Sequence, residues 1–128
     1  MNPLAFLAVG LGAACGAWIR WWLGLRLNPL LLHLPLGTLA ANLAGGYLIG
    51  VAVAVFTVHH GLPHELRLFL ITGFLGGLTT FSTFSAEVVQ MFQAAQYGWA
   101  MLTAAVHLGG SLAMTGLGFW TVSRLQGG

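Results

Sequence analysis

The sequence predicts an all-α membrane protein of four transmembrane helices, and three observations carry that prediction. Over 128 residues, 58% are hydrophobic and only 5% charged, where an ordinary soluble domain has about a quarter of its residues charged. Mean hydropathy is +0.89. Four apolar stretches, each near the roughly 20 residues that cross a bilayer's hydrocarbon, are divided by short segments marked by Asn28-Pro29, Pro35 and Pro63. The chain reads as one domain, residues 1–128, with no internal repeat and no soluble module. Four Arg, two acids and no Lys make up the charge, so a sequence pI near 9.3 rests on very few groups and gives no nucleic-acid partner. Cys15 stands alone in the first apolar stretch, which suits a small packing residue and excludes a disulfide within the chain.

Span one runs from about Leu4 to Leu23. It follows Met1-Asn2-Pro3 without a basic leader and is longer than a signal-peptide core, so it is read as a retained span. Trp18, Arg20, Trp21 and Trp22 close it, and indoles beside a cation suit the headgroup interface. Gly12 and Gly16 form a pair four apart that admits another helix closely. Arg20 continues that face, which turns it toward protein or an aqueous mouth; interface anchoring is the plainer account. In the connection Arg26 to Pro35, Leu30 to Leu34 is expected to form a short interfacial helix.

Span two covers roughly Leu36 to Val58, with Asn42 as its strongly polar side chain and Thr38 four residues earlier on the same face. An Asn in a span usually bonds to a neighbouring helix. Gly46 and Gly50 are a second close-packing pair. The following connection holds His59, His60 and His64, whose spacing matches no strong metal pattern; solvated histidines are the expectation. Span four, about Trp99 to Val122, carries His107 and Ser111 on one face. An ionisable residue in a span is a functional candidate, and a neutral imidazole bonded to a neighbouring helix is the competing account.

Span three, about Leu66 to Tyr97, is longer than one straight crossing needs. Its centre reads GFLGGLTTFSTFSAE from Gly73 to Glu87, with three glycines, five hydroxyls and three phenylalanines where Leu, Ile and Val are usual. Two half-helices around a break near Gly76, Gly77, Leu78 and Thr79 are predicted, since irregular backbone at membrane depth is tolerated where it is buried in protein or lines a cavity. Freed carbonyls are good ligands for a hard cation, and two copies of Gly76 and Thr79 meeting on a twofold axis would offer four oxygens to Na⁺. A bare kink satisfied by hydroxyls is the alternative. Phe81 and Phe84 share a face. Plain packing explains such a pair, but ring edges are electropositive and can line an anion path without a charge that holds the ion. Thr38, Ser82, Thr83 and Ser85 add O–H donors and Asn42 an N–H₂. Glu87, three residues beyond Phe84, is a candidate for excluding bulkier traffic, accepting a hydroxyl or pairing with an Arg.

Cation counting completes the reading. With alternating spans, Arg67 and Arg124 fall on one side and Arg20 and Arg26 on the other. Orientation normally follows an excess of Lys and Arg on the cytoplasmic side, so this chain is expected to insert both ways. Four short helices enclose a polar route poorly alone, and two inverted copies would form a twofold dimer with its axis in the membrane plane.

With these residues in view, the chain closely resembles the small fluoride channels known as Fluc or CrcB-type proteins. The motif at Gly73 to Glu87 is the specific signal; the GxxxxN of Gly37 to Asn42 and the arginine ending span one agree with it, and four spans match in order and length. The resemblance implies passive fluoride export, protecting a bacterial cell from its plasma membrane, by an antiparallel dual-topology homodimer with two fluoride pathways at the subunit interface. It implies a structural Na⁺ on the dimer axis, held by carbonyls of Gly76 and Thr79. It assigns Phe81 and Phe84 to the pore lining with Asn42 beside them, Arg20 to a vestibule, and Thr38, Ser82, Thr83 and Glu87 to a polar track. His107 and Ser111 join the candidate pathway from span four. There the chain departs from some family members, which carry Tyr and Ser where Thr103 and His107 stand. Two other readings remain: a small dual-topology multidrug exporter, which needs a carboxylate in span one that this chain lacks, and a structural membrane subunit, which leaves Asn42 and the hydroxyl cluster without a task. In none of these readings is the chain an enzyme, since no bond is made or broken.

Overall fold

Four helical stretches long and apolar enough to cross a membrane, Pro3–Leu30, Leu36–Val58, His64–Gln93 and Tyr97–Gly127, make up nearly all of the computed structural model, which describes residues 2–127. This is a multi-pass membrane protein. Its helices α1 (Pro3–Leu27) and α2 (Leu36–Val58) are apolar all round, as expected where one face meets protein and the other lipid. Leu4, Phe6, Leu11, Trp18 and Trp21 of α1 stay exposed on the outer surface.

Each boundary has a local cause. The Asn2 side chain accepts from Leu4 N at 2.9 Å and Pro3 occupies the first turn, a favoured helix start. Helix α1 runs four residues past the expected Leu23. The expected helix at Leu30 to Leu34 is absent: a 3₁₀ turn at Asn28–Leu30 leads into non-helical 31–35. Asn28 explains the difference. Its Oδ1 turns back to accept from Gly37 N at 2.7 Å and Thr38 N at 3.3 Å, capping α2 in place of the Pro35 side chain, which has no acceptor. His33 of this loop stacks on Trp99 with centroids 5.1 Å apart.

The third crossing is broken, as predicted, but not where the glycines suggest. Helix α3 spans residues 64–78, with α-helical His64–Arg67, a π-helical Leu68–Leu75 and a last turn Gly76–Leu78. The break is at Thr79 and Thr80, both extended (φ −85°, ψ 155° and φ −150°, ψ 118°). Gly76 is helical. Beyond it α4 (Phe81–Gln93) is the one amphipathic crossing segment. It ends with Gln96 N donating to Met91 O and Ala95 N to Phe92 O, Ala95 being left-handed at φ 60°. Helix α5 (Tyr97–Gly127) follows and runs on past the expected Val122.

Glycine decides how closely these helices pack. A Cβ on Gly16 would meet Phe74 O and Leu78 N, and one on Gly77 would meet Ala13 O, so α1 and α3 lie backbone against backbone. The π-helical stretch and the last turn of α3 both lie along α1. Gly50 and Gly118 fix α2 against α5 in the same way, each facing a backbone carbonyl of the other helix's contact, Thr115 and Tyr47.

Candidate functional site

The broken crossing presents backbone groups that a continuous helix would satisfy internally, and their partners define the site. Thr79 turns inward: its N–H and its hydroxyl both donate to Leu75 O, at 3.0 and 2.8 Å. Thr80 caps the next helix, its Oγ1 accepting from Thr83 N at 3.1 Å. The Thr80 peptide groups go to a side chain instead of backbone. Asn42 Oδ1 accepts from Thr80 N at 2.8 Å and Asn42 Nδ2 donates to Thr80 O at 3.1 Å. Arg20 Nε donates to Gly77 O at 3.0 Å, which places the cation at the C-terminal end of α3, where the helix dipole favours it. Among the described residues no backbone or side-chain donor crosses the break to Gly76 O or Thr79 O.

Asn42 also reaches α5. Its Nδ2 lies 3.0 Å from His107 Nδ1. The Thr80 contacts fix the carboxamide, since a flipped amide would set oxygen against oxygen and N–H against N–H. Nδ2 is therefore the donor, His107 Nδ1 accepts, and the imidazole carries its hydrogen on Nε2. His107 is 3% exposed, and its Nε2 has no partner among the described residues. The Phe84 ring lies against it, centroids 4.5 Å apart, and Phe81 meets Phe84 edge-to-face at 5.6 Å and 66°. One turn further along α4, Glu87 Oε2 accepts from the Thr38 hydroxyl at 2.7 Å, while Oε1 is buried without a partner among the described residues. Thr103, fully buried, donates to Met91 Sδ at 3.4 Å.

These residues border an open groove of about 460 Å³ on one face of the molecule. Asn42, Gly76, Thr79, Phe81, Phe84, His107 and Ser111 all line it, and no charged side chain does among the described residues. Thr38 and Glu87 lie in the seam one turn away, and Arg20 sits on the α1 side of the break. Ser82 Oγ pairs with Thr80 Oγ1 at 3.3 Å, and Thr83 contributes its backbone N–H to the cap. One expectation is corrected: Asn42 is not a free N–H₂ donor along a route, because both amide hydrogens and the oxygen are committed to Thr80 and His107. Sequence reasoning passed over Thr80, although a hydroxyl residue directly before a helical stretch is a legible cap signal. Thr115, whose hydroxyl bridges Gly46 O and Ser111 O at 2.9 and 3.0 Å, left no such signal, because the Gly46 carbonyl comes from another helix and the Ser111 carbonyl is an ordinary partner one turn back on its own.

The sequence model of the family described as "CrcB-like protein, Camphor Resistance (CrcB)" matches residues 7–119. The chain belongs to the CrcB-like family. Three curated relatives carry the name fluoride-specific ion channel FluC. That of Cupriavidus taiwanensis is 60% identical over 125 residues, covering 98% of this chain and 99% of the relative. That of Ralstonia pickettii is 62% identical over 122 residues, 95% and 97% of the two chains, and that of Dechloromonas aromatica 62% over 126 residues, 98% and 93%. In this CrcB-like chain the matched region includes the broken crossing, its Asn42 clamp and the Phe81–Phe84 pair.

Proposed function

We propose that this protein is a fluoride-selective channel that exports F⁻ passively across a bacterial plasma membrane, working as an antiparallel homodimer with two pathways. Relatives about 60% identical over nearly the whole chain carry that name. The observation that carries the proposal is the composition of the groove, which combines two phenylalanine rings, an imidazole and hydroxyls and, among the described residues, has no charged one in its lining. Conduction needs sites that are favourable to enter and easy to leave. Electropositive ring edges and neutral donors meet that requirement. HF crosses membranes in acid and dissociates inside a cell to F⁻, which cannot leave unaided; a passive route out is protective.

A groove that is open on one protomer calls for a second copy to close it, and Phe81, 78% exposed and on the groove's rim, is the side chain with most to gain. The near-even split of arginines supports inverted insertion of the two copies. Na⁺ on the dimer axis is part of the same reading. Gly76 offers room for it, since a Cβ there would find nothing nearer than Ile71 O at 3.9 Å, and the carbonyls of Gly76 and Thr79 are hard oxygen donors with no N–H assigned to them. Such an ion would neutralise carbonyl dipoles crowded at the axis; Asn42, Thr80 and Arg20 hold the backbone that presents them. The test is efflux from liposomes bearing the purified protein, followed with a fluoride-selective electrode against a chloride control. Fluoride efflux with little chloride efflux is expected, and equal or absent efflux of both would refute the proposal.

A further inference from the structure

We infer that the Nε2–H of His107 is a fluoride-binding donor of the pathway, held in that tautomer by the Thr80 backbone acting through Asn42. The inference rests on the fluoride reading and adds to it an atom and a reason. Thr80 N–H and C=O orient the Asn42 amide, the amide donates to His107 Nδ1 at 3.0 Å, and the remaining hydrogen must then be on Nε2. That N–H lies in a residue 3% exposed and finds no protein acceptor among the described residues.

A buried donor left without a protein acceptor is costly in an apolar interior, and an anion that accepts from it relieves that cost. Fluoride is small and the strongest acceptor among the halides, so it gains most from one short, fixed N–H. With the Phe84 ring against the imidazole at 4.5 Å, the ion reaches the donor by displacing that ring, and the groove both residues line is its approach. The other unpaired buried side-chain atom of this seam, Glu87 Oε1, is an acceptor, so it repels the ion and leaves the imidazole as the place to rest.

Two substitutions separate this role from a structural one. Asn at position 107 keeps an acceptor near the Nδ1 position and loses the Nε2 donor, whereas Gln places an amide N–H₂ near Nε2 and loses the partner of Asn42. In the liposome assay His107→Gln should stay within about threefold of the parent protein and His107→Asn should lose about tenfold, the weight of one hydrogen bond to an ion. The reverse order, or equal losses, would assign His107 to holding Asn42 and overturn the inference. A parent protein that passes no fluoride would instead remove the underlying reading. A measurement on the unmutated protein guards against misfolded variants: ¹⁵N NMR of labelled histidine should find His107 hydrogenated on Nε2, with a resonance that moves on adding fluoride and not chloride. An Nδ1–H tautomer, or a resonance indifferent to fluoride, would equally overturn it.

Discussion

Asn42 does the work of backbone. At the break, a carboxamide from α2 takes the place of the helical neighbours that Thr80 N–H and C=O have lost, and it has one hydrogen left over for His107. Its removal strands three polar groups at once, each costing about 1–3 kcal/mol when buried and unpaired. Asn42→Ala is therefore expected to lower unfolding stability in detergent by about 3 kcal/mol, allowing for non-additivity, and to abolish fluoride efflux; a variant that melts with the parent would show that the clamp is dispensable. The rings answer to a different measurement. Phe81→Ile or Phe84→Ile should cut fluoride flux by about tenfold, the equivalent of about 1.4 kcal/mol in passage, while size-exclusion elution stays that of the parent. Normal flux in both variants would argue against a ring-lined path.

At the scale of the element, close helix contacts and a strained helix end set stability. Gly16 of α1 faces the backbone of α3 at Phe74 and Leu78, whereas nothing lies within 4 Å of a Cβ on Gly10 of the same helix. Gly16→Ala must push two backbones apart and is expected to cost about 1–3 kcal/mol. Gly10→Ala should be neutral or gain up to about 1 kcal/mol from helix propensity. Thermal melts of the two variants side by side check this, and equal melting temperatures would contradict the contact. The turn after α4 offers a gain. Ala95 is left-handed at φ 60° in a hydrogen-bond pattern that usually ends on glycine. Ala95→Gly should stabilise by about 0.5–1 kcal/mol, the left-handed penalty less the glycine entropy; a lower melting temperature would mean that the methyl group packs against something in the assembled protein.

For the whole molecule, the proposed inverted pair is testable through its insertion. Arg67 and Arg124 against Arg20 and Arg26 leave insertion without a strong instruction. Lysines added to the loop at residues 59–62 alone, or to the loop at residues 31–34 alone, should lock opposite orientations. Each locked form is expected to be inactive when expressed by itself, and co-expression should restore fluoride efflux. Full activity of either form alone would replace the inverted pair with a parallel or monomeric channel.

The four crossings, their order and the existence of a break in the third were legible in the sequence, because span length, hydropathy and a glycine- and hydroxyl-rich centre are local properties that lipid enforces directly. The candidate residues were legible as types: Phe81 and Phe84 three apart, Thr38 and Asn42 four apart, His107 and Ser111 four apart. Where the break falls was legible only in part: Thr79, at the edge of the predicted stretch, is extended, but Gly76, Gly77 and Leu78 are helical, and Asn42, reaching in from another helix, holds Thr80 extended beside it. For the same reason the role of Asn42 and the tautomer of His107 were decided by tertiary structure alone. Both depend on which atoms from α2, the break and α5 meet across 38 and 65 residues of chain, and hydrogen-bond partners at that separation are fixed by packing, not by spacing along one helix.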